Sequence, residues 1–282
     1  MTVAAFEAAV APGAGRRRAG TLVAGAVIVS AVVLAAVLAP VVATHDPLAQ
    51  DLTGGLQPPS AEHWLGTDQL GRDLWSRIVY AARTDLRVGV LAVIAPAVIG
   101  TVIGLIAGYF GGWAERIATY LVDVNLSFPF YVIALAMVAL LGTGEIAIYV
   151  TFALVAWVNY ARVVATVTAG FVRENWVVAA RGGGLSHGRV VLRHVLPGAL
   201  PQIVVIVVGD IVFVILAIVT MSYLGLGIQP PTPNWGGMIS DGQAFLATRP
   251  WIALFPGAAI LVTGIGFSLL ADGVADRVRS GR

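Results

Sequence analysis

The chain has 282 residues, of which 58% are hydrophobic and 11% are charged, and its mean hydropathy is +0.88. A soluble protein has about 25% charged residues, so this composition excludes a water-soluble domain and indicates an integral membrane protein. The sequence has no cysteine, which excludes disulfides and thiolate metal sites, and its net charge of +2 is carried by Arg residues scattered among loops. That distribution indicates membrane orientation and no nucleic-acid partner.

A helix needs about 20 apolar residues to cross the roughly 30 Å hydrocarbon layer. Six runs satisfy this requirement, at residues 21–43, 86–110, 117–141, 146–169, 201–224 and 251–270. The sequence therefore predicts an all-α fold with about six transmembrane helices. The first run could be a signal peptide, since basic residues precede it, but its apolar length favours an uncleaved anchor.

The Arg residues predict the orientation, because cytoplasmic flanks carry more positive charge. With the N-terminus inside, most Arg residues lie on the cytoplasmic side, and both termini are cytoplasmic. The predicted organisation is a tail at 1–20, the first helix at 21–43, an extracytoplasmic segment at 44–85, a five-helix core at 86–272 and a tail at 273–282.

The internal segment 171–200 is polar and rich in Arg. Three glycines at 182–184 predict a helix break, Ser186 predicts the N-cap of a second short helix, and Pro197 and Pro201 predict its end before the next span. Such a helix-turn-helix element can be a docking surface for a cytoplasmic partner or an ordinary Arg-bearing connector, and the residues alone leave both open.

Two stretches of this loop carry a resemblance to a known family. Residues 177–184, Val-Val-Ala-Ala-Arg-Gly-Gly-Gly, followed by 193–197, Arg-His-Val-Leu-Pro, resemble the "EAA" loop of ABC-importer permeases. The resemblance implies a type I importer permease whose loop is a coupling helix seated in a cleft of an ATPase subunit. Val178 stands where the family has an acidic residue. The implied coupling residues are Trp176, Ala179, Ala180, Arg181, Gly184, His194 and Pro197.

Two further motifs narrow the resemblance. Residues 63–73, His-Trp-Leu-Gly-Thr-Asp-Gln-Leu-Gly-Arg-Asp, and residues 222–236 after the fifth span resemble the C-type subunit of dipeptide, oligopeptide and nickel permeases. The resemblance implies a non-enzymatic permease of the bacterial inner membrane that imports peptides, with nickel or another small solute as the alternative. It also implies a second homologous permease, one or two ATP-binding subunits that hold ATP and Mg²⁺, and a substrate-binding protein, with no cofactor on this chain.

The motif at 63–73 predicts a turning backbone with local ion pairs, formed by Gly66, Asp68, Gly71, Arg72 and Asp73. Its expected role is a scaffold at the outer face, and contact with a substrate-delivering protein is the alternative. Trp235, in the second motif, is expected to be an anchor at the membrane interface, with substrate contact as the alternative.

Carboxylates inside spans are costly, so Asp123 and Asp210 should face protein or water. Both are candidates for lining the translocation path, with Asp210 the deeper one, while Asn125 and Asn159 are expected to bond across helices. The absence of Lys excludes a P-loop ATPase, and the four His residues are spread over loops on both sides, which predicts no metal site. A self-contained secondary transporter or channel, or a non-transporting scaffold, remains the alternative class.

Overall fold

The structure is a computed structural model that describes residues 14–280, and it is almost entirely helical over that range. Twelve α-helices occur within the described residues: α1 Ala14–Val37, α2 Ala39–Val42, α3 Leu74–Phe110, α4 Gly112–Leu126, α5 Phe130–Leu141, α6 Glu145–Val155, α7 Trp157–Val172, α8 Asn175–Gly182, α9 His187–Val190, α10 Leu196–Tyr223, α11 Trp235–Gly242 and α12 Trp251–Ser280. The predicted tail positions 1–13 and 281–282 lie outside the described residues.

Five helical stretches are long and apolar enough to cross a membrane, and the count becomes six if the bent pair α4 and α5 is one span. The all-α membrane fold predicted from the sequence is therefore confirmed. Within the described range, β pairing is limited to an isolated bridge between Thr67 and Asp73.

The predicted third span is two helices. α4 has 15 residues and α5 has 12, and they meet at 82°. At 1.5 Å per residue neither helix alone crosses the roughly 30 Å hydrocarbon layer. The bend follows from Pro129, which cannot continue a helix and holds the preceding Phe128 away from helical backbone.

The prediction that Pro197 and Pro201 end the second short helix before the next span is wrong. The helical path runs from His187 to Tyr223, through a π-helical turn at Val191–Val195. Pro197 lies at the start of α10, directly after the π-helical turn, and Pro201 lies inside α10. Membrane helices tolerate such prolines when neighbouring elements and local π turns accommodate the lost hydrogen bonds.

The second span is longer than predicted. α3 is a continuous helix of 37 residues that begins at Leu74 rather than Leu86, which corresponds to about 55 Å. Its first turns therefore project beyond a hydrocarbon layer of about 30 Å. Asp73 caps this helix by accepting a hydrogen bond from the Ser76 N–H at 2.8 Å, and the residues before Leu74 fold against the projecting turns.

Small residues bring α3 against α7. Gly100, Gly104 and Gly108 form a stripe at four-residue spacing on α3. A Cβ built on Gly104 would lie 2.7 Å from the carbonyl oxygen of Ala161, and Cβ atoms at the other two positions would also overlap α7. Helices in lipid associate through such small-residue contacts, because the hydrophobic effect does not drive apolar helices together there. The α3–α7 pair is the main helix contact of the bundle.

Candidate functional site

Three regions carry the residues singled out from the sequence. The cap, formed by residues 43–73 and 224–250, lies at the end of the bundle where α3 begins. Residues 171–200, called the coupling loop here after the role that the sequence resemblance implies, lie near the opposite end of α3, where Tyr109 Oη is 3.1 Å from His187 Nδ1. A cavity between α4–α5, α6–α7 and α10 lies among the spans.

Buried valine side chains pack the coupling loop against the bundle. Val177, Val190 and Val195 are each 0% exposed. They pack with Leu105 of α3 and Ile203 of α10 in one hydrophobic cluster. The short helices are therefore fixed relative to the spans, so that a force on the loop can be passed to α3 and α10.

The opposite side of the coupling loop is open. Trp176 is 41% exposed, Val178 59% and Leu192 64%. The predicted residues Ala179, Arg181, Gly184, His194 and Pro197 are also exposed, and Ala180 is partly buried. Apolar side chains rimmed by Arg are typical of a protein interface.

The break in the loop follows the glycine signal. α8 ends at Gly182, and Gly184 has a φ of +82°, a left-handed conformation that favours glycine. Ser186 occupies the N-cap position of α9, as predicted, but its side chain makes no capping hydrogen bond. The position of the helix break could therefore be predicted from the sequence, whereas the absence of a capping hydrogen bond from Ser186 could not.

In the cap, charged side chains of the motif at 63–73 form a buried ion-pair network. Asp68 Oδ2 accepts a hydrogen bond from Arg72 Nε at 2.6 Å and lies 3.4 Å from Arg77 Nε. Arg72 Nη2 also donates to Asp241 at 3.4 Å. Asp68 and Arg72 are 2% and 6% exposed, so the predicted local pairing is present and joins the two parts of the cap.

Gly66 and Gly71 provide the turns of this motif, with φ of +81° and +72°. A Cβ at Gly71 would overlap the carbonyl group of Asp51, so this position needs glycine for space as well as conformation. Burial alone would raise the pKa of the Asp73 carboxyl, but hydrogen bonds from Ser76 and His63 outweigh it and lower the pKa below its ordinary value.

Trp235 is a core residue, so its prediction as an interfacial anchor is wrong. It is 1% exposed, its backbone N–H donates to Asp85 Oδ2 at 2.9 Å, and its indole Nε1 donates to the carbonyl oxygen of Ile78 at 3.2 Å. Sequence reasoning also missed the role of Asp85, the last residue of the predicted extracytoplasmic segment 44–85, because its partner is distant in the chain.

The cavity among the spans measures about 510 Å³ and contains one of the two predicted carboxylates. Asp210 lines it together with Asn159, Phe213 and Thr220, whereas Asp123 is not among the lining residues. Asn125 donates to the Leu154 carbonyl oxygen at 2.6 Å, which is the interhelical bond predicted for it. Phe213 is 73% exposed, so this side of α10 remains open.

The bundle of spanning helices, with a mainly apolar cavity among them, defines a multi-pass membrane protein. A family described as binding-protein-dependent transport system inner membrane component matches residues 100–280. The N-terminal transmembrane domain of oligopeptide transport permease C matches residues 17–59. The chain belongs to this family of binding-protein-dependent permeases, and the resemblance noted in the sequence is confirmed.

Curated relatives agree with this assignment. The dipeptide transport system permease protein DppC of Alkalihalophilus pseudofirmus is 38% identical over 238 residues, which cover 84% of this chain and 78% of the relative. The glutathione transport system permease protein GsiD of Pectobacterium atrosepticum is 39% identical, with 77% and 72% covered. The probable D,D-dipeptide transport system permease protein DdpC of Escherichia coli K12 is 38% identical, with 84% and 80% covered.

Proposed function

We propose that this chain forms half of the translocation path of an ATP-driven importer for dipeptides and oligopeptides. The relatives named above are dipeptide, D,D-dipeptide and glutathione permeases, and all three named solutes are short peptides. The chain would work with a second homologous permease, one or two ATP-binding subunits and an extracytoplasmic binding protein. ATP and Mg²⁺ would be held by the ATP-binding subunits and not by this chain.

The observation that carries this proposal is the two-sided coupling loop. Its buried valines pack against α3 and α10, while Trp176, Ala179 and Arg181 face outward. An ATP-binding subunit bound to the outer side of the loop would pass its own closing motion to the spans as a rigid-body motion. ATP binding would then draw two coupling loops together and open the path outward, and hydrolysis would reset it.

The orientation belongs to the same proposal. The loop would face the ATP-binding subunits, so it and both termini would be cytoplasmic, and the cap would face the binding protein. The Arg-rich character of residues 171–200 supports this orientation under the positive-inside rule. The membrane would be the inner membrane of a bacterium.

Co-purification tests the coupling role. The chain carrying Ala179→Glu and Arg181→Glu should lose the ATP-binding subunits from gently solubilised membranes, because these exposed changes put negative charge on the docking surface without altering the buried valines. Arg116→Glu is the matched control, since Arg116 is also exposed and lies on the same proposed side. Recovery of the wild-type chain without any ATP-binding subunit would instead support a self-contained transporter.

Uptake assays test the substrate. Cells with the complete importer should accumulate a labelled dipeptide, and unlabelled di- and tripeptides should compete with it. Accumulation of nickel that peptides do not reduce would reject the peptide assignment while leaving the importer mechanism in place.

A further inference from the structure

Two histidines and a glutamate that are distant in sequence converge in the cap. His45 follows α2, and Glu62 and His63 precede the motif that leads into α3. One ligand atom from each of these three residues lies within 4.8 Å of the others. The imidazole rings of His45 and His63 have centroids 4.7 Å apart and are tilted by 35°. The cluster therefore brings together the segment after α2 and the loop before α3.

The buried carboxylate of Asp73 lies on the Nδ1 side of both imidazole rings. The side chain of Asp73 is 1% exposed, and its Oδ1 lies 2.9 Å from His63 Nδ1 and 3.8 Å from His45 Nδ1. A carboxylate only accepts hydrogen bonds, so His63 carries its proton on Nδ1 and donates it to Asp73. This tautomer leaves the lone pair of His63 on Nε2.

The same reasoning applies to His45. The hydroxyl of Thr44 donates to Asp73 Oδ2 at 3.3 Å, so its oxygen is free to accept a proton from His45 Nδ1, which lies 3.0 Å away. The lone pair of His45 is then also on Nε2. A histidine that binds a metal ion in a protein usually donates its other ring N–H to an acceptor such as a carboxylate. Asp73 is such an acceptor for His63, and the Thr44 hydroxyl takes that place for His45.

The three side chains are accessible to solvent, and their ligand types favour one kind of metal ion. The side chain of His63 is 17% exposed and that of His45 is 37% exposed, and Glu62 is exposed as well. Two neutral imidazoles and one carboxylate, with water in the remaining position, suit Zn²⁺. Mg²⁺ and Ca²⁺ prefer sites made of oxygen ligands only.

We propose that His45, Glu62 and His63 bind a Zn²⁺ ion in the cap, with Asp73 and Thr44 as positioning residues. The ion would be a resident of the protein, separate from the transported solute, and would tie the segment after α2 to the loop before α3. The proposal differs from the expectation that the dispersed histidines form no metal site, because the fold brings His45 and His63 together.

Zinc binding by the intact importer tests the proposal. The complex is purified through a tag without histidine, stripped with a chelator and dialysed against Zn²⁺, and bound zinc is measured by elemental mass spectrometry. The wild type should retain one more zinc per copy of this chain than the His45→Ala/His63→Ala variant. His187→Ala/His194→Ala removes two imidazoles from the coupling loop and should bind as much zinc as the wild type. Equal zinc in all three samples would overturn the proposal.

Two conservative variants separate ligation from folding. Glu62→Gln removes the charge of an exposed side chain while keeping its size, and it should weaken zinc affinity. This variant still tests the site if the double histidine variant proves unstable. Asp73→Asn should weaken it about 10- to 100-fold without changing the number of ions bound, as loss of an outer-shell partner does. If Asp73 is only a helix cap, its variant would unfold at lower temperature with unchanged zinc affinity. Zinc affinity unchanged in both variants would refute the assigned ligands and positioning role.

Discussion

The contact between α3 and α7 leads to a sharp prediction for Gly104→Ala. Relative to glycine, alanine favours a helix by about 1 kcal/mol. At this position, however, the new Cβ would lie 2.7 Å from the backbone oxygen of Ala161, which cannot move without moving α7. Overpacking of this kind costs about 1–3 kcal/mol, so the net expected effect is a loss of up to about 2 kcal/mol in the free energy of unfolding.

Gly257→Ala is the matched control, because Gly257 also lies inside a spanning helix and a Cβ there would meet nothing within 4 Å. The midpoint of thermal unfolding in mild detergent should fall for Gly104→Ala and stay level or rise for Gly257→Ala. Equal midpoints for the two variants would refute the close approach of α3 and α7 as the reason for glycine at position 104.

Two further predictions concern carboxylates. Asp68→Ala should lower the free energy of unfolding by about 3–5 kcal/mol, because it removes the carboxylate beside the buried guanidinium of Arg77 and leaves Arg72 only its contact with Asp241. Asp46→Ala in the exposed part of the cap should change the free energy of unfolding by at most about 0.5 kcal/mol. Similar unfolding midpoints for the two variants would contradict the buried network. Asp210→Ala should slow peptide uptake about 2- to 10-fold, as expected for the loss of one hydrogen bond along the path, whereas Asp123→Ala should not. Equal uptake rates for the two variants would remove Asp210 from the path.

The places where sequence reasoning and structure differ have a common cause. The apolar runs located the spans because lipid requires about 20 consecutive apolar residues, whatever their neighbours are. The same runs could not show that Pro129 bends a span by 82° while Pro197 and Pro201 are accommodated in a continuous helical path. Whether a proline bends a helix depends on what surrounds the freed carbonyl groups, which is a tertiary property.

The sequence also could not show which residues distant in the chain contact each other. The motif with Asp68 and Arg72 was readable because those residues pair four positions apart. Trp235 was read as an interfacial residue because aromatic side chains after a span usually are. Its partner Asp85 lies 150 positions away, and nothing local to either residue indicates the pair.

The sequence by itself determined the class of protein, the approximate positions of most spans, the break at Gly182–Gly184 and the family, because each depends on composition or on residues close together in the chain. The tertiary structure alone decided which side of the coupling loop is open, which carboxylate lines the cavity and which histidines meet in the cap. Those properties arise from packing between elements distant in sequence, and packing is set by shape and close contact rather than by local pattern.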